Sequence, residues 1–407
     1  MGAEKRKILT FICLVMFLDA VGFGLILPVL PELIDELSDL SNSEAARIAG
    51  FLLFTFAGVQ FFCAPILGGL SDKFGRRPVL LLALLGFALD YFVMAAAQSL
   101  LWLFIARMIS GLFGATFTAA NASIVDISTT EERAKLFGYT GAAVGLGFVF
   151  GPALGGLLGE YGTRLPFIVA GILTLATLAY GYVVFPETLS EETRRPFSWA
   201  RANPLGSLIS ISRYPVVLMI IGAIFFMQLA NQSFASIWSF YTIEVTSWST
   251  FQIGLSITFY GMMLAIVQGG LTGPAVKKLG EVKATIFSLS VGFITFLGLA
   301  FAATGWQIYL WIFIGGFSAF AFPAMQALMT KRIPENAQGE LQGALASSYS
   351  LTAIIGPIMM SQIFGAYTSG DGLYMPGAAF VAGAVMILLC LATFLGSMRL
   401  AKREATL

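Results

Sequence analysis

An all-α membrane protein of twelve transmembrane helices, in two pseudo-symmetric six-helix halves, follows from three observations. Apolar runs of about twenty residues recur along the chain, one long polar stretch interrupts them at the middle, and a glycine pattern repeats between the halves. Of 407 residues, 57% are hydrophobic and 11% charged, against roughly 25% charged in ordinary soluble domains. The length would allow two or three soluble domains, but this composition excludes them.

A bilayer core of ~30 Å takes about twenty helical residues. Runs of that kind lie near residues 8–30, 48–70, 79–98, 101–124, 136–158 and 165–185, then near 215–241, 253–275, 284–303, 307–329, 342–366 and 375–396. The N-terminal run lacks a small-residue cleavage site and continues past Pro31, so it reads as a retained first span rather than a signal peptide. The polar interruption, PETLSEETRRPFSWARANPLGSLISISRYP, divides the chain into an N-terminal bundle (1–186), a linker (187–213) and a C-terminal bundle (214–407). With the N-terminus inside, twenty of the 23 basic residues fall on the cytoplasmic side, leaving only Arg47, Arg107 and Arg164 elsewhere. That bias predicts a multi-pass protein of the cytoplasmic membrane with both termini inside.

Sliding the chain by 205 residues superposes Gly68 on Gly273, Gly75 on Gly280, Gly111 on Gly316, Gly138 on Gly343, Gly151 on Gly356 and Pro152 on Pro357. Two parallel six-helix repeats form a transporter architecture, with the substrate between them near the midplane. A channel does not need the duplication. An intramembrane enzyme would need catalytic residues, and the pattern offers none.

Further classes are excluded by composition. The net charge is +1, with no concentrated basic face for nucleic acid. The absence of histidine removes triad chemistry and most metal chemistry, so neither a metal nor another cofactor is expected. Cys13, Cys63 and Cys390 are scattered through apolar runs and read as small core residues. The expected partners are a small-molecule substrate, protons and the lipid bilayer, with no obligate protein partner.

Only Asp19, Asp90 and Arg107 place charge inside the spans. A charge at mid-membrane costs on the order of 3 kcal/mol on insertion scales, and such groups pair or line a cavity. Asp19, mid-way along span one, reads either as a helix-ordering hydrogen-bonding group or as a titratable site exchanging proton and substrate. Asp19–Arg107 is the expected pairing, and Asp90, mid-way along span three, is the alternative proton site. The second half has no such charge. Its polar inventory of Gln228, Asn231 and Gln232 in span seven, Tyr260 and Gln268 in span eight and Gln326 in span ten lies among aromatics. With Gln60 from span two, these are the candidates for lining a cavity that takes lipophilic compounds.

The first cytoplasmic loop reads GGLSDKFGRRPVL, residues 68–80. Paired glycines permit close helix contact, and an acid among bases can form ion pairs or cap a helix N-terminus. The string resembles the hallmark loop of the major facilitator superfamily, which marks Gly69, Asp72, Lys73, Gly75, Arg76 and Arg77 as a gating motif. A weaker echo, TGPAVKKLGE at 272–281, places Lys277 opposite Asp72. LFIARMISGLFGA, with Arg107, Gly111 and Gly114, is similar to the family's span-four motif. GLGFVFGPALGG is similar to its span-five antiporter motif, at Gly147, Gly151, Pro152, Gly155 and Gly156. Glycines four apart make a flat face for close packing, and proline bends the helix.

Over nearly the whole chain the resemblance is to the tetracycline-efflux branch of twelve-span drug/proton antiporters. That branch carries a histidine where this chain has Leu264 and an aspartate where it has Gly292. The resemblance implies a major facilitator fold and proton-coupled export of a drug-like or lipophilic molecule by alternating access. A uniporter or importer of a neutral metabolite is the alternative, and a receptor or scaffold on a transporter fold is the rival from another class.

Overall fold

The computed structural model describes residues 2–114, 116–198, 209, 211–334, 337–370 and 372–404. Eleven helices among the described residues are long and apolar enough to cross a membrane. The longest, Thr250–Ala300, contains Gly280 at φ 75° and ψ 158°, a backbone turn that divides it into two spans. The chain is therefore an all-helical, multi-pass membrane protein of twelve spans.

Spans one to three are continuous helices, Ala3–Leu37, Asn42–Phe74 and Arg76–Ala95. Span four is broken into Leu100–Phe113 and Thr116–Ile127, and spans five and six are Thr130–Gly159 and Leu165–Val184. Span seven joins Pro215–Ser236 to Trp238–Thr246 through Ile237 (φ −123°, ψ −5°). Span eight runs from Thr250–Ile266 into a π-helical turn, Val267–Leu271, and on towards Gly280, after which span nine continues to Ala300. Span ten is Gly305–Gly316 and Ala321–Thr330 around a 3-10 turn, Phe317–Phe320, and spans eleven and twelve are Gln338–Thr368 and Ala378–Glu404. Helices suit this solvent because every interior backbone group is bonded within the segment. Hydroxyls follow the same rule: Thr174, Thr177, Ser256 and Thr352 donate to carbonyls of their own helices.

The fold divides into two compact units. One comprises Met1–Leu40, Thr55–Pro204 and Ser249–Thr258; the other comprises Ser41–Phe54, Leu205–Trp248 and Phe259–Leu407. The start of span two thus groups with the C-terminal spans, and the start of span eight with the N-terminal ones.

In the first unit, spans one and five cross closely along a line of small residues. A Cβ on Gly147 would lie 2.6 Å from the Phe17 carbonyl oxygen, and one on Gly151 would lie 2.6 Å from that of Val21. Gly24 answers from span one, where a Cβ would meet Pro152 Cδ at 2.7 Å. Gly156 meets span eight, with a Cβ position 2.7 Å from the Thr250 carbonyl oxygen. Just beyond it, Glu160 accepts a hydrogen bond from Phe251 N at 3.0 Å. In the second unit Phe234, Trp238, Tyr241, Phe296 and Phe380 form one aromatic cluster. There Glu244 takes hydrogen bonds from Asn42 and from Tyr374, each at 2.6 Å.

Candidate functional site

The membrane-embedded charges gather in the first unit. Arg107 Nη2 donates to both carboxylate oxygens of Asp90, at 2.8 and 2.7 Å, and approaches Met94 Sδ at 2.9 Å. The pair is sealed, with Asp90 1% and Arg107 8% exposed. The guanidinium also lies over the Phe56 ring, 6.0 Å from its centroid. This corrects the expected Asp19–Arg107 pairing. Spans three and four form an antiparallel pair with a short connection, Asp90 five residues before Ala95 and Arg107 seven after Leu100. At a rise of 1.5 Å per residue both lie about 7–11 Å from the turn, at matching depth. The spacing was legible in the sequence.

Asp19 is half-buried and makes no ion pair or hydrogen bond among the described residues. Tyr91, buried beside Asp90 on span three, reaches span one and places its hydroxyl against Gly22. The unit thus holds two carboxylates in different settings. One is neutralised by an arginine. The other has no counter-ion.

The loop motif is built as a network at the inner end of span two. Arg76 Nη1 donates to Asp72 at 2.6 Å and to Ser71 at 3.2 Å, while its Nε donates to Asp126 at 3.0 Å. Gly75 turns the chain at φ 106°, and the freed amides of Arg76 and Arg77 donate to Glu187 at 2.8 and 3.2 Å. A carboxylate at a helix N-terminus meets both the unpaired N–H groups and the favourable end of the helix dipole. The linker continues the cover: Arg195 N donates to the Asp72 carbonyl at 3.1 Å, and the Phe197 ring closes over Gly69. Asp72 and Arg76 were expected from the sequence; Asp126 and Glu187 were not. Asp126 did carry a signal, an isolated acid at the end of a span facing a basic loop, whereas Glu187 carried none. Lys73 takes no part in these ion pairs and lies 4.9 Å from the Phe74 ring centroid.

The second unit contains a cavity of about 230 Å³, lined by Gln228, Asn231, Tyr260 and Gln268 among the expected residues. Ser288 and Tyr349 also line it, as do Leu264 and Gly292. Gln232, Gln326 and Gln60 do not. Gln232 packs its stem against Gly356, and Gln60 donates to the Gly114 carbonyl at 2.9 Å, at the break in span four. Ser288 Oγ donates to the Ser318 carbonyl at 2.5 Å, fixing the 3-10 turn of span ten.

A family model described as Major Facilitator Superfamily matches residues 12–357. The chain belongs to the major facilitator superfamily. Among its relatives, it is 39% identical to the class C tetracycline resistance protein of Escherichia coli over 92% of this chain and 93% of that protein. The class G protein of Vibrio anguillarum is 37% identical over 93% and 94%. Solved structures agree on the fold. A bacterial homologue of the human lysosomal transporter Spinster superposes with a TM-score of 0.79 at 14% identity, covering 98% of each chain. A D-xylose–proton symporter does so at 0.76 and 18%, covering 96% of this chain and 97% of that one. The facilitator fold and the resemblance to tetracycline-efflux proteins are thereby borne out. The residues that resemble the superfamily's loop motif form the Arg76 network, and those that resemble its span-five motif form the face that meets spans one and eight.

Proposed function

We propose that the chain is a proton-coupled exporter of drug-like small molecules in the cytoplasmic membrane, with both termini inside. The two six-helix halves, 1–186 and 214–407, would alternate access by rocking about a central site. The observation that carries the reading is Asp19, an intramembrane carboxylate with no counter-ion among the described residues, on the helix that packs against the span-five glycines. Asp90 is neutralised by Arg107 and braces spans three and four, whereas Asp19 is free to exchange a proton for substrate. The relatives' names support export over uptake and make tetracycline the first compound to test. The uniporter or importer reading is correspondingly disfavoured.

The test is export of tetracycline and other drugs by proteoliposomes with and without an imposed pH gradient. Asp19→Asn keeps shape and hydrogen bonding but removes the titratable proton. Gradient-driven accumulation should fall at least tenfold while gradient-independent exchange survives. Undiminished uphill export by Asp19→Asn would remove the carboxylate from coupling, and wild-type transport indifferent to the gradient would refute proton coupling itself.

A further inference from the structure

We infer that the cavity of the second unit is a binding compartment for an uncharged, aromatic molecule bearing several hydroxyl or amide groups, or for that part of a larger substrate. The inference rests on the reading as an exporter and specifies its substrate class. Every residue lining the space is uncharged. An ion moving into it from water loses hydration with no counter-charge to replace it, whereas a neutral molecule exchanges hydrogen bonds with water for hydrogen bonds with the wall.

The wall has such bonds to offer. The Gln268 amide and the hydroxyls of Tyr260 and Tyr349 border the space without a protein hydrogen-bond partner among the described residues. Asn231, by contrast, donates to Gln228 at 3.3 Å, and Ser288 holds the Ser318 carbonyl. Flat apolar surface completes the site. Tyr260 is held by stacking on Phe234, with centroids 4.9 Å apart and planes at 12°, while Phe322 meets Tyr349 edge-on at 5.8 Å.

The backbone points to the same place. Gln268 lies within the π-helical turn Val267–Leu271, and Ser318 lies within the 3-10 turn Phe317–Phe320. Irregular backbone at membrane depth is tolerated where it is buried in protein or lines a water-filled cavity, and π turns recur at functional sites. Two independent spans therefore leave regular helix where they border this one space.

The experiment measures equilibrium binding to the purified full-length protein in lipid nanodiscs. The probes are chloramphenicol, a neutral nitrophenyl compound with two hydroxyls and an amide, and tetraphenylphosphonium, a permanent aromatic cation. Chloramphenicol should bind the wild type at least tenfold more tightly than the cation, and Gln268→Leu should weaken it at least fivefold. Gly292→Asp puts a carboxylate on the wall where an added Cβ meets nothing closer than Ser318 Cβ at 3.5 Å. It should weaken chloramphenicol at least tenfold and strengthen tetraphenylphosphonium. Should Gly292→Asp fail to insert, Gln268→Leu alone decides, provided its melting temperature matches wild type. The inference is overturned if the wild type fails to bind chloramphenicol, or if the neutral probe's affinity stays within twofold in the folded variants. Proteoliposome export is a separate readout, so gradient-insensitive transport with this binding pattern would sink the proton-coupled reading and leave the compartment standing.

Discussion

Alanine at Gly151 and alanine at Gly145 are the same chemical change on the same helix, with opposite expected consequences. At Gly151 the new methyl would lie 2.6 Å from the Val21 carbonyl oxygen, 3.0 Å from Val21 Cα and 3.2 Å from Gly24 Cα. All three are backbone atoms of span one, so no side chain can swing aside. Ordinary contact begins near 3.4 Å, so the two spans must separate by about 0.8 Å at the crossing. Overpacking of this kind costs about 1–3 kcal/mol. At Gly145 an added Cβ meets nothing within 4 Å. Only the helix propensity of alanine acts there, worth up to about 1 kcal/mol in its favour. The two variants should therefore differ by about 1–4 kcal/mol, or several degrees in melting temperature. Intrinsic fluorescence of detergent-purified protein reads the melt, and drug export by proteoliposomes reads function. We expect Gly145→Ala to match or exceed wild type in both, and Gly151→Ala to melt lower and export poorly. Two curves that coincide, with equal export, would refute close packing of spans one and five as a requirement.

Three further predictions address the polar contacts. Because one nitrogen of Arg107 makes both contacts to Asp90, Arg107→Lys should keep most of the thermal stability. Arg107→Met, which strands a buried carboxylate, should lose about 3–5 kcal/mol; equal losses would refute the pairing argument. Glu187→Gln weakens the cap on the Arg76 and Arg77 amides, worth about 0.5–2 kcal/mol, so amide exchange at those residues should quicken, while exposed Glu192→Gln leaves it unchanged. Hydrogen bonds from Ser249 and from the Phe251 amide hold Glu160 below the usual carboxylate range. A depressed pKa stabilises above the unfolded value and that contribution vanishes as pH falls through the folded one. Acid should then lower the melting temperature of wild type more than that of Glu160→Gln, and parallel pH profiles would exclude the contribution.

Span number was legible because it depends on composition summed over some twenty residues, and the half-to-half repeat because glycines recur at one offset. The loop ion pair was legible too, since Asp72 and Arg76 are four apart across the tight turn at Gly75. Contacts that join distant segments were not. Glu187 is 111 residues from the amide it caps, and nothing local in PETLSEE distinguishes it from Glu191 or Glu192. The Asp90–Arg107 pair needed only the antiparallel geometry of one hairpin, and weighing charges by span rather than by depth hid it. The π and 3-10 turns leave no compositional mark, so Gln268 read as one polar residue among several, and Ser318 drew no notice. Gln60 shows the converse: an amide in an apolar run can serve a neighbouring helix break rather than a cavity.

Gly75 and Gly280, 205 residues apart, adopt nearly the same backbone, φ 106° and ψ 163° against φ 75° and ψ 158°. Around Gly75 a carboxylate crowds in; around Gly280 a Cβ would touch nothing within 4 Å. What the two corners share is thus a torsion angle rather than a chemistry. The shape of each asks only for a residue without a side chain, which leaves Asp72 and Lys277 beside them free to differ in charge. One corner is wired to the linker and the other is left open.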